Sequence, residues 1–326
     1  MEPKSISIVG LGYVGLPLAH AFAKAGHTVV GYDINESRIK DLKSGEDITG
    51  ELTEEQLNDV TIEYSSDVKS ISKSDFIILA LPTPVDSNND PDLTILEDAS
   101  KSVGQHMKDG AIVVFESTVS PGTTEGVCKD KLNLSGKAFK LGYSPERINP
   151  ADKEHTIDKI VKIVAGEDEE TTDTLVKLYE SIITEAGVHR APSIKVAEMA
   201  KAIENAQRDL NIAFINEVAI LCNAIGISTN DVLDAAKTKW NFLPFTPGLV
   251  GGHCIGVDPY YLVKKARELN IETKVIAAGR SVNDGMGTEV ANQINGAIED
   301  SQNILVLGKT FKENVPDTRN SQSMTV

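Results

Sequence analysis

The residue best suited to covalent chemistry is Cys254, in the run Gly251-Gly252-His253-Cys254-Ile255-Gly256-Val257-Asp258-Pro259. A thiol in a glycine-flanked loop is sterically open. Partly deprotonated, it is a strong nucleophile, and a nearby cation or backbone donors favour the thiolate. His253 is its neighbour in sequence, and an extended loop aims adjacent side chains apart, so His253 is not read as its base. The other two cysteines, Cys128 and Cys222, fall in helical patterns. Cys222 follows Ile220 and Leu221 and reads as core, and Cys128 as structural. Three cysteines so far apart match neither a disulfide framework nor a zinc-ligand spacing, so no metal is expected.

A second constellation is Lys201 and Asn205, with Arg208 and Asp209 one turn further on. Spacing i, i+4 puts Lys201 and Asn205 on one helical face, where both could address one ligand. On spacing alone the plainer reading is favoured, a solvated charged stripe in which Glu204 pairs with Arg208. The open Cys254 loop is what tips the balance.

The third is Gly10-Leu11-Gly12-Tyr13-Val14-Gly15, a G-x-G-x-x-G directly after the apolar run Ile6 to Val9 and opening a helix at Leu16. Its glycines allow a tight turn, a close backbone approach to a pyrophosphate, and close helix–strand packing, with the helix N-terminus facing the diphosphate. Asp33 ends the next apolar run about 20 residues beyond Gly12, where a carboxylate would accept from ribose hydroxyls and repel a 2′-phosphate. NAD is therefore expected over NADP. A glycine turn that binds nothing is the competing explanation, and the strand–helix–acid context weighs against it.

These groups need a scaffold. Ile- and Val-rich runs at Ile6 to Gly10, His27 to Asp33, Asp75 to Leu81, Ala111 to Thr118, Ala138 to Ser144 and Lys159 to Gly166 alternate with helical periodicity at Leu16 to Ala25, Ile34 to Leu42 and Leu93 to Met107. Continuously apolar strands alternating with helices predict an α/β, doubly wound parallel sheet of Rossmann type. From Ile194 to Ile225 the chain reads as one helix of over thirty residues, free of proline and glycine and closed by Gly226. It forms the spine of an all-helical dimerisation domain, its apolar stripe available to a copy of itself. Helices follow at Asn230 to Thr238, Leu262 to Leu269 and Val275 to Ile298, and Asn303 to Gly308 reads as a new strand. The expected domains are 1–192 (NAD-binding), 193–300 (helical, with the catalytic loop) and 301–326 (the incomplete start of a second Rossmann-like domain).

Composition narrows the classes of function. With 326 residues, 32 basic against 48 acidic and a net charge of −16, the chain repels phosphate backbones and anionic lipid. Nucleic acid and membrane partners are not expected. No apolar run reaches membrane-span length, no signal peptide fits before the first strand, and the sparse cysteines suit a reducing cytosol, so the expected location is cytoplasmic.

In order along the chain stand Val9 to Pro17 (VGLGYVGLP), Leu81-Pro82-Thr83-Pro84, Glu116-Ser117-Thr118-Val119, Ser144-Pro145-Glu146-Arg147, Lys201 to Glu217, Gly251 to Asp258, and Lys309 to Arg319 (KTFKENVPDTR). Through these signatures the chain resembles, over its whole length, the nucleotide-sugar 6-dehydrogenases of the UDP-glucose/GDP-mannose dehydrogenase family. The wording of the long helix and of the loop is most similar to the branch acting on UDP-N-acetylglucosamine or UDP-N-acetylgalactosamine in Vi-antigen, capsule and O-antigen synthesis.

The resemblance implies oxidation of the sugar C6 alcohol to a carboxylate with reduction of two NAD, through a Cys254 thiohemiacetal and thioester. It assigns Lys201 and Asn205 to the C6 oxygen, Asp258 and Thr118 to proton transfer through water, and Glu146 to thioester hydrolysis. The implied cofactor set is Gly10, Gly12, Tyr13, Val14, Gly15, Asp33, Arg38, Pro82, Thr83 and Thr118. The implied substrate set is Glu146, Arg147, Lys201, Asn205, Arg208, Gly251, Lys312 and Arg319, the last two meeting phosphate. A UDP-N-acetylhexosamine substrate and a homodimer through the long helix are implied as well. In the family a second Rossmann-like domain covers the uridine diphosphate, and this chain stops about where that would begin. Two other readings are a two-electron β-hydroxyacid-type dehydrogenase, which needs no cysteine, and a non-catalytic NAD-binding protein.

Overall fold

The computed structural model describes residues 2–148, 154, 156–298, 303–313, 315 and 317–326. The chain divides into two compact units. The first comprises Met1–Pro84 and Pro91–Lys201, and the second Val85–Asp90 and Ala202–Val326.

The first unit holds β1 (Ser5–Val9), β2 (Thr28–Tyr32), β3 (Ile62–Ser65), β4 (Phe76–Leu79), β5 (Ala111–Phe115), β6 (Phe139–Tyr143), β7 (Lys162–Gly166) and β8 (Val188–Arg190), and helices α1 (Gly15–Lys24), α2 (Glu36–Lys43), α3 (Glu54–Asn58), α4 (Thr94–His106), α5 (Lys129–Asn133) and α6 (Glu169–Glu180). The strands order as β3-β2-β1-β4-β5-β6-β7-β8. Order therefore reverses between β1 and β4, the switch point at which doubly wound sheets open a ligand crevice beyond the strand carboxyl ends. Two apolar clusters cover the sheet faces, one around Ile6, Ile8, Phe22 and Leu178, the other around Ile77, Leu79, Val113 and Leu141.

Two features depart from the expected parallel sheet. β7 runs antiparallel to β6, with Gly142 opposite Gly166 and Tyr143 opposite Ala165. β3 and β8 are additional edge strands, in polar stretches (IEYS, VHR) with no apolar run to mark them. Pairing with β2 and β7 makes them strands, and their own side chains do not.

α7 (Ile194–Ile225) is a single 32-residue helix, matching the predicted span. The boundary between the units falls within it, after Lys201. Gly226, at φ 74°, ends it. Exposed Phe214, Leu221 and Ile225 form an uncovered apolar stripe on the second unit's part of the helix. α8 (Thr229–Lys237), α9 (Asp258–Glu268) and α10 (Lys274–Ala297) complete the second unit. The strand expected at Asn303 to Gly308 is not formed, and Ile304 to Leu307 stand exposed. A strand exists through its ladder partner, and none pairs with this run among the described residues.

Candidate active site

In the first unit the loop between β1 and α1 is shaped by what its glycines exclude. Gly10 sits at φ 92°, and a Cβ there would lie 2.7 Å from the Ala80 carbonyl oxygen. A Cβ on Gly15 would fall 1.8 Å from the Gly10 carbonyl oxygen, whereas one on Gly12 would meet nothing within 4 Å. The first and third glycines thus serve packing, and the second leaves open space for a ligand's approach.

Asp33, just beyond β2, accepts from the Leu11 amide at 2.8 Å and from the Asn35 amide at 2.9 Å. One N–H on each oxygen fixes the carboxylate and leaves acceptor capacity on both for ribose hydroxyls. The donor set fits an NAD diphosphate and ribose. Arg38, read from sequence as cofactor-binding, is buried behind the loop, where its Nε donates to the Leu11 carbonyl at 2.9 Å and its guanidinium pairs with Asp47 at 2.7 Å. It braces the glycine loop from below. At the end of β4, Thr83 donates to the Thr118 carbonyl at 2.8 Å, and Ser117 bridges Leu81, joining the loops after β4 and β5. Pro82 is exposed, and Tyr13, Val14 and Thr118 are half-buried.

Glu146, after β6, is buried. Its Oε1 accepts the amides of Arg147 at 2.5 Å and Ile148 at 2.6 Å, and its Oε2 lies 2.9 Å from the Lys162 ammonium. Burial works to raise its pKa, but Lys162 and the two amides outweigh it and hold the carboxyl below its ordinary range. Arg147 donates to the Val161 carbonyl at 2.8 Å.

In the second unit the Cys254 loop leads into α9. The Cys254 carbonyl accepts the amides of Val257 at 3.0 Å and Asp258 at 2.8 Å, and Cys254 itself is part-exposed. Asp258 is only 2 % exposed, at the first turn of α9, and accepts from Asn205 Nδ2 at 2.5 Å. Gly252, at φ 84°, has no room for a side chain, since a Cβ would lie 2.7 Å from the Phe311 ring. Asn320 Nδ2 donates to the Gly252 carbonyl at 3.0 Å. The segment with Lys312 and Arg319 therefore backs the cysteine loop. Arg319 grips Asp317 through Nε at 2.8 Å. His253 stands edge-on to Phe311, with 5.7 Å between ring centroids. Arg208 is exposed, Lys201 lies at the end of the first unit's portion of α7, and Gly251 lines a cavity of about 220 Å³ with Tyr260 and Arg280.

Sequence reasoning missed the polar core behind this loop. Arg280 of α10, 3 % exposed, pairs with Asp209 at 2.5 Å and also with Asp284, which Tyr260 binds at 2.5 Å. Asn283 bonds Asp209, and Asn216 links Asn283 to both backbone groups of Gly248. In the first unit it likewise missed Glu198, which accepts the Gly122 and Thr124 amides and so fixes α7 to the turn after Thr118. The available signal was a charged residue on an apolar stripe, which demands a partner but does not say which. Among the described residues no group of His, Cys, Asp and Glu is placed to hold a metal, and no helix is long and apolar enough to cross a membrane.

Residues 4–183 match the NAD binding domain, and residues 195–285 the central domain, of the UDP-glucose/GDP-mannose dehydrogenase family. The chain is 52% identical over 330 residues to protein CapL of Staphylococcus aureus, covering 98% of this chain and 77% of that protein. It is 49% identical over 338 residues to a UDP-N-acetyl-D-glucosamine 6-dehydrogenase of Pseudomonas aeruginosa, covering 100% of this chain and 80% of the other. Among solved structures, the UDP-D-ManNAc dehydrogenase of Pyrococcus horikoshii is similar at TM-score 0.88 and 34% identity, over 98% of this chain and 79% of that one.

Proposed function

The chain belongs to the UDP-glucose/GDP-mannose dehydrogenase family, an NAD-dependent nucleotide-sugar dehydrogenase, and from that premise we propose that it oxidises the C6 alcohol of a UDP-N-acetylhexosamine to the carboxylate. The overall change consumes one alcohol, two NAD and one water and yields one carboxylate, two NADH and three protons. NAD, held at the Gly10 to Gly15 loop and Asp33, supplies the hydride acceptor in both oxidations.

Lys201 and Asn205 hold the C6 oxygen as its proton leaves, and one such donor is worth about 3 kcal/mol when negative charge develops there. The Cys254 sulfur then adds to the aldehyde carbon, keeping the intermediate covalently on the enzyme while the cofactor is exchanged. After the second oxidation a water attacks the thioester carbonyl. Its proton passes to Glu146, the C–S bond breaks, and Cys254 leaves as thiolate. Asp258 and Thr118 move the alcohol proton through water. Arg147, Arg208, Lys312 and Arg319 face the nucleotide sugar.

The observation carrying this reading is the hydrogen bond from Asn205 to buried Asp258, four residues past Cys254. It ties the helix with the oxygen-binding pair to the loop with the nucleophile. The exposed stripe Phe214, Leu221 and Ile225 supports a homodimer through α7. The reading is tested by counting NADH formed per UDP-GlcNAc or UDP-GalNAc consumed. Two are expected for whichever epimer is used, and one would exclude the thioester route. Cys254→Ala should abolish the second oxidation while NAD binding is retained.

A further inference from the structure

Among the described residues the sheet has one antiparallel pairing, and it does something the sequence gives no hint of. Strands β5 and β6 are parallel neighbours, so their carboxyl ends lie at the same edge, with Glu116 just after β5 and Glu146 just after β6. Because β7 runs the other way, its first residue, Lys162, arrives at that edge. Continuing the register of Tyr143 opposite Ala165 brings Lys162 level with Glu146. A parallel β7 would deliver its last residue there instead.

The result is a buried cluster of four groups. Lys162 Nζ lies 3.0 Å from Glu116 Oε2 and 2.9 Å from Glu146 Oε2, and the Tyr179 hydroxyl of α6 donates to Glu116 Oε1 at 2.5 Å. Lys162, Glu116 and Tyr179 are all within 3 % of complete burial. A buried ammonium between two carboxylates is an expensive arrangement, and packing alone would be served as well by apolar side chains. Glu146 is the member at the cluster's least covered side, 9 % exposed. Its Oε1 is filled by two amide N–H groups, and its Oε2 takes Lys162 and keeps one lone pair.

We propose that Lys162 is a positioning residue for the hydrolytic step, holding Glu146 as an oriented carboxylate with one free lone pair on Oε2 for the attacking water. Glu116, itself held by the Tyr179 hydroxyl, fixes Lys162 from behind, so that Glu146 stays ionised and oriented. The inference rests on the reading of Glu146 as the base in thioester hydrolysis. The step moves one proton from water to Glu146 Oε2, forms the C–O bond and breaks the C–S bond to Cys254, and Lys162 gives up no proton in it.

The test is single-turnover oxidation with a UDP-N-acetylhexosamine, following NADH and, by intact mass, the covalent adduct on Cys254. Lys162→Met should leave the first oxidation near wild type and slow hydrolysis at least tenfold, with adduct accumulating. The acid limb of the hydrolysis rate should rise by about one pH unit, because a carboxylate without its ammonium neighbour binds its proton more tightly. Lys162→Arg should restore most of the rate. Glu116→Gln, close to isosteric and uncharged like the protonated Glu116 at that pH, should leave the limb where wild type has it.

A limb unmoved in Lys162→Met, with no adduct build-up, overturns the proposal. If Lys162→Met does not fold, Lys162→Gln, which keeps a polar head group without the charge, decides by the same limb and adduct readouts. Glu146→Gln separates the two levels: adduct accumulating there while Lys162→Met behaves as wild type leaves Glu146 as base and removes only Lys162. Normal hydrolysis in Glu146→Gln removes the underlying reading.

Discussion

Asn205 Nδ2 donates to Asp258 Oδ2 across 2.5 Å, and the Asp258 amide in turn donates to the Cys254 carbonyl at 2.8 Å. Two bonds thus connect the α7 side chain proposed to hold the sugar oxygen to the backbone of the proposed nucleophile. Truncating a buried acceptor orphans its donor at about 1–3 kcal/mol. Asp258→Ala should accordingly lower stability by about that amount in urea unfolding and lower kcat by two orders of magnitude or more, with NAD affinity retained. An unchanged kcat would mean that the bond is purely structural.

The glycines of the cofactor loop should separate by what a Cβ meets. At Gly12 it meets open space, so Gly12→Ala should leave the melting temperature unchanged and raise the KM for NAD tenfold or more, by standing where the diphosphate approaches. At Gly15 it would fall on the Gly10 carbonyl oxygen, so Gly15→Ala should lose folded protein. Calorimetry with NAD beside thermal melts distinguishes the two.

Arg280 is held by Asp209 and Asp284 in the core of the second unit. Arg280→Met leaves Asp209 buried without its counter-charge and should destabilise by about 3–5 kcal/mol. Adding Asp209→Leu should recover part of that loss. Strictly additive effects in the double-mutant cycle would contradict the pairing.

Burial is the largest influence on Glu116 and pushes its carboxyl up to about 7, against an ordinary 4.5. A folded-state pKa above the unfolded value means that the fold holds a proton the unfolded chain has released. This group's contribution is therefore fully present below about pH 4.5 and is lost as pH rises through about 7, with a slope of up to about 1.4 kcal/mol per pH unit. Unfolding free energy measured from pH 5 to 8 should fall more steeply in wild type than in Glu116→Gln. Parallel curves would show that Glu116 does not titrate there.

If the exposed stripe of α7 is covered by a second copy, a charge placed on it should split the pair. Phe214→Glu and Leu221→Glu each put a carboxylate in the stripe, and light scattering should then report monomer where wild type gives dimer. A wild-type monomer would instead leave the stripe without that partner.

Local chemistry made much of this readable in one dimension. Gly10 to Gly15 announced a tight strand–turn–helix because turn and close packing each require glycine at a fixed offset, and these lie within one local unit. The α7 span was legible end to end, since nothing in it breaks a helix until Gly226. Cys254 stood out by its glycine neighbours. The reversal of β7, the edge strands β3 and β8, and the unformed strand at 303–308 were not legible, because direction and ladder membership depend on residues far away in the chain. The same holds for the ion clusters. Lys162 in an apolar strand and Arg280 on a helix announce only that a partner must exist, and Glu116, Glu146, Asp209 and Asp284 become those partners through the order and direction in which strands and helices pack. The sequence determined which groups are available for chemistry. The tertiary structure decided which of them are buried together, and burial is what turns an ordinary lysine or carboxylate into one with a fixed charge and a fixed direction.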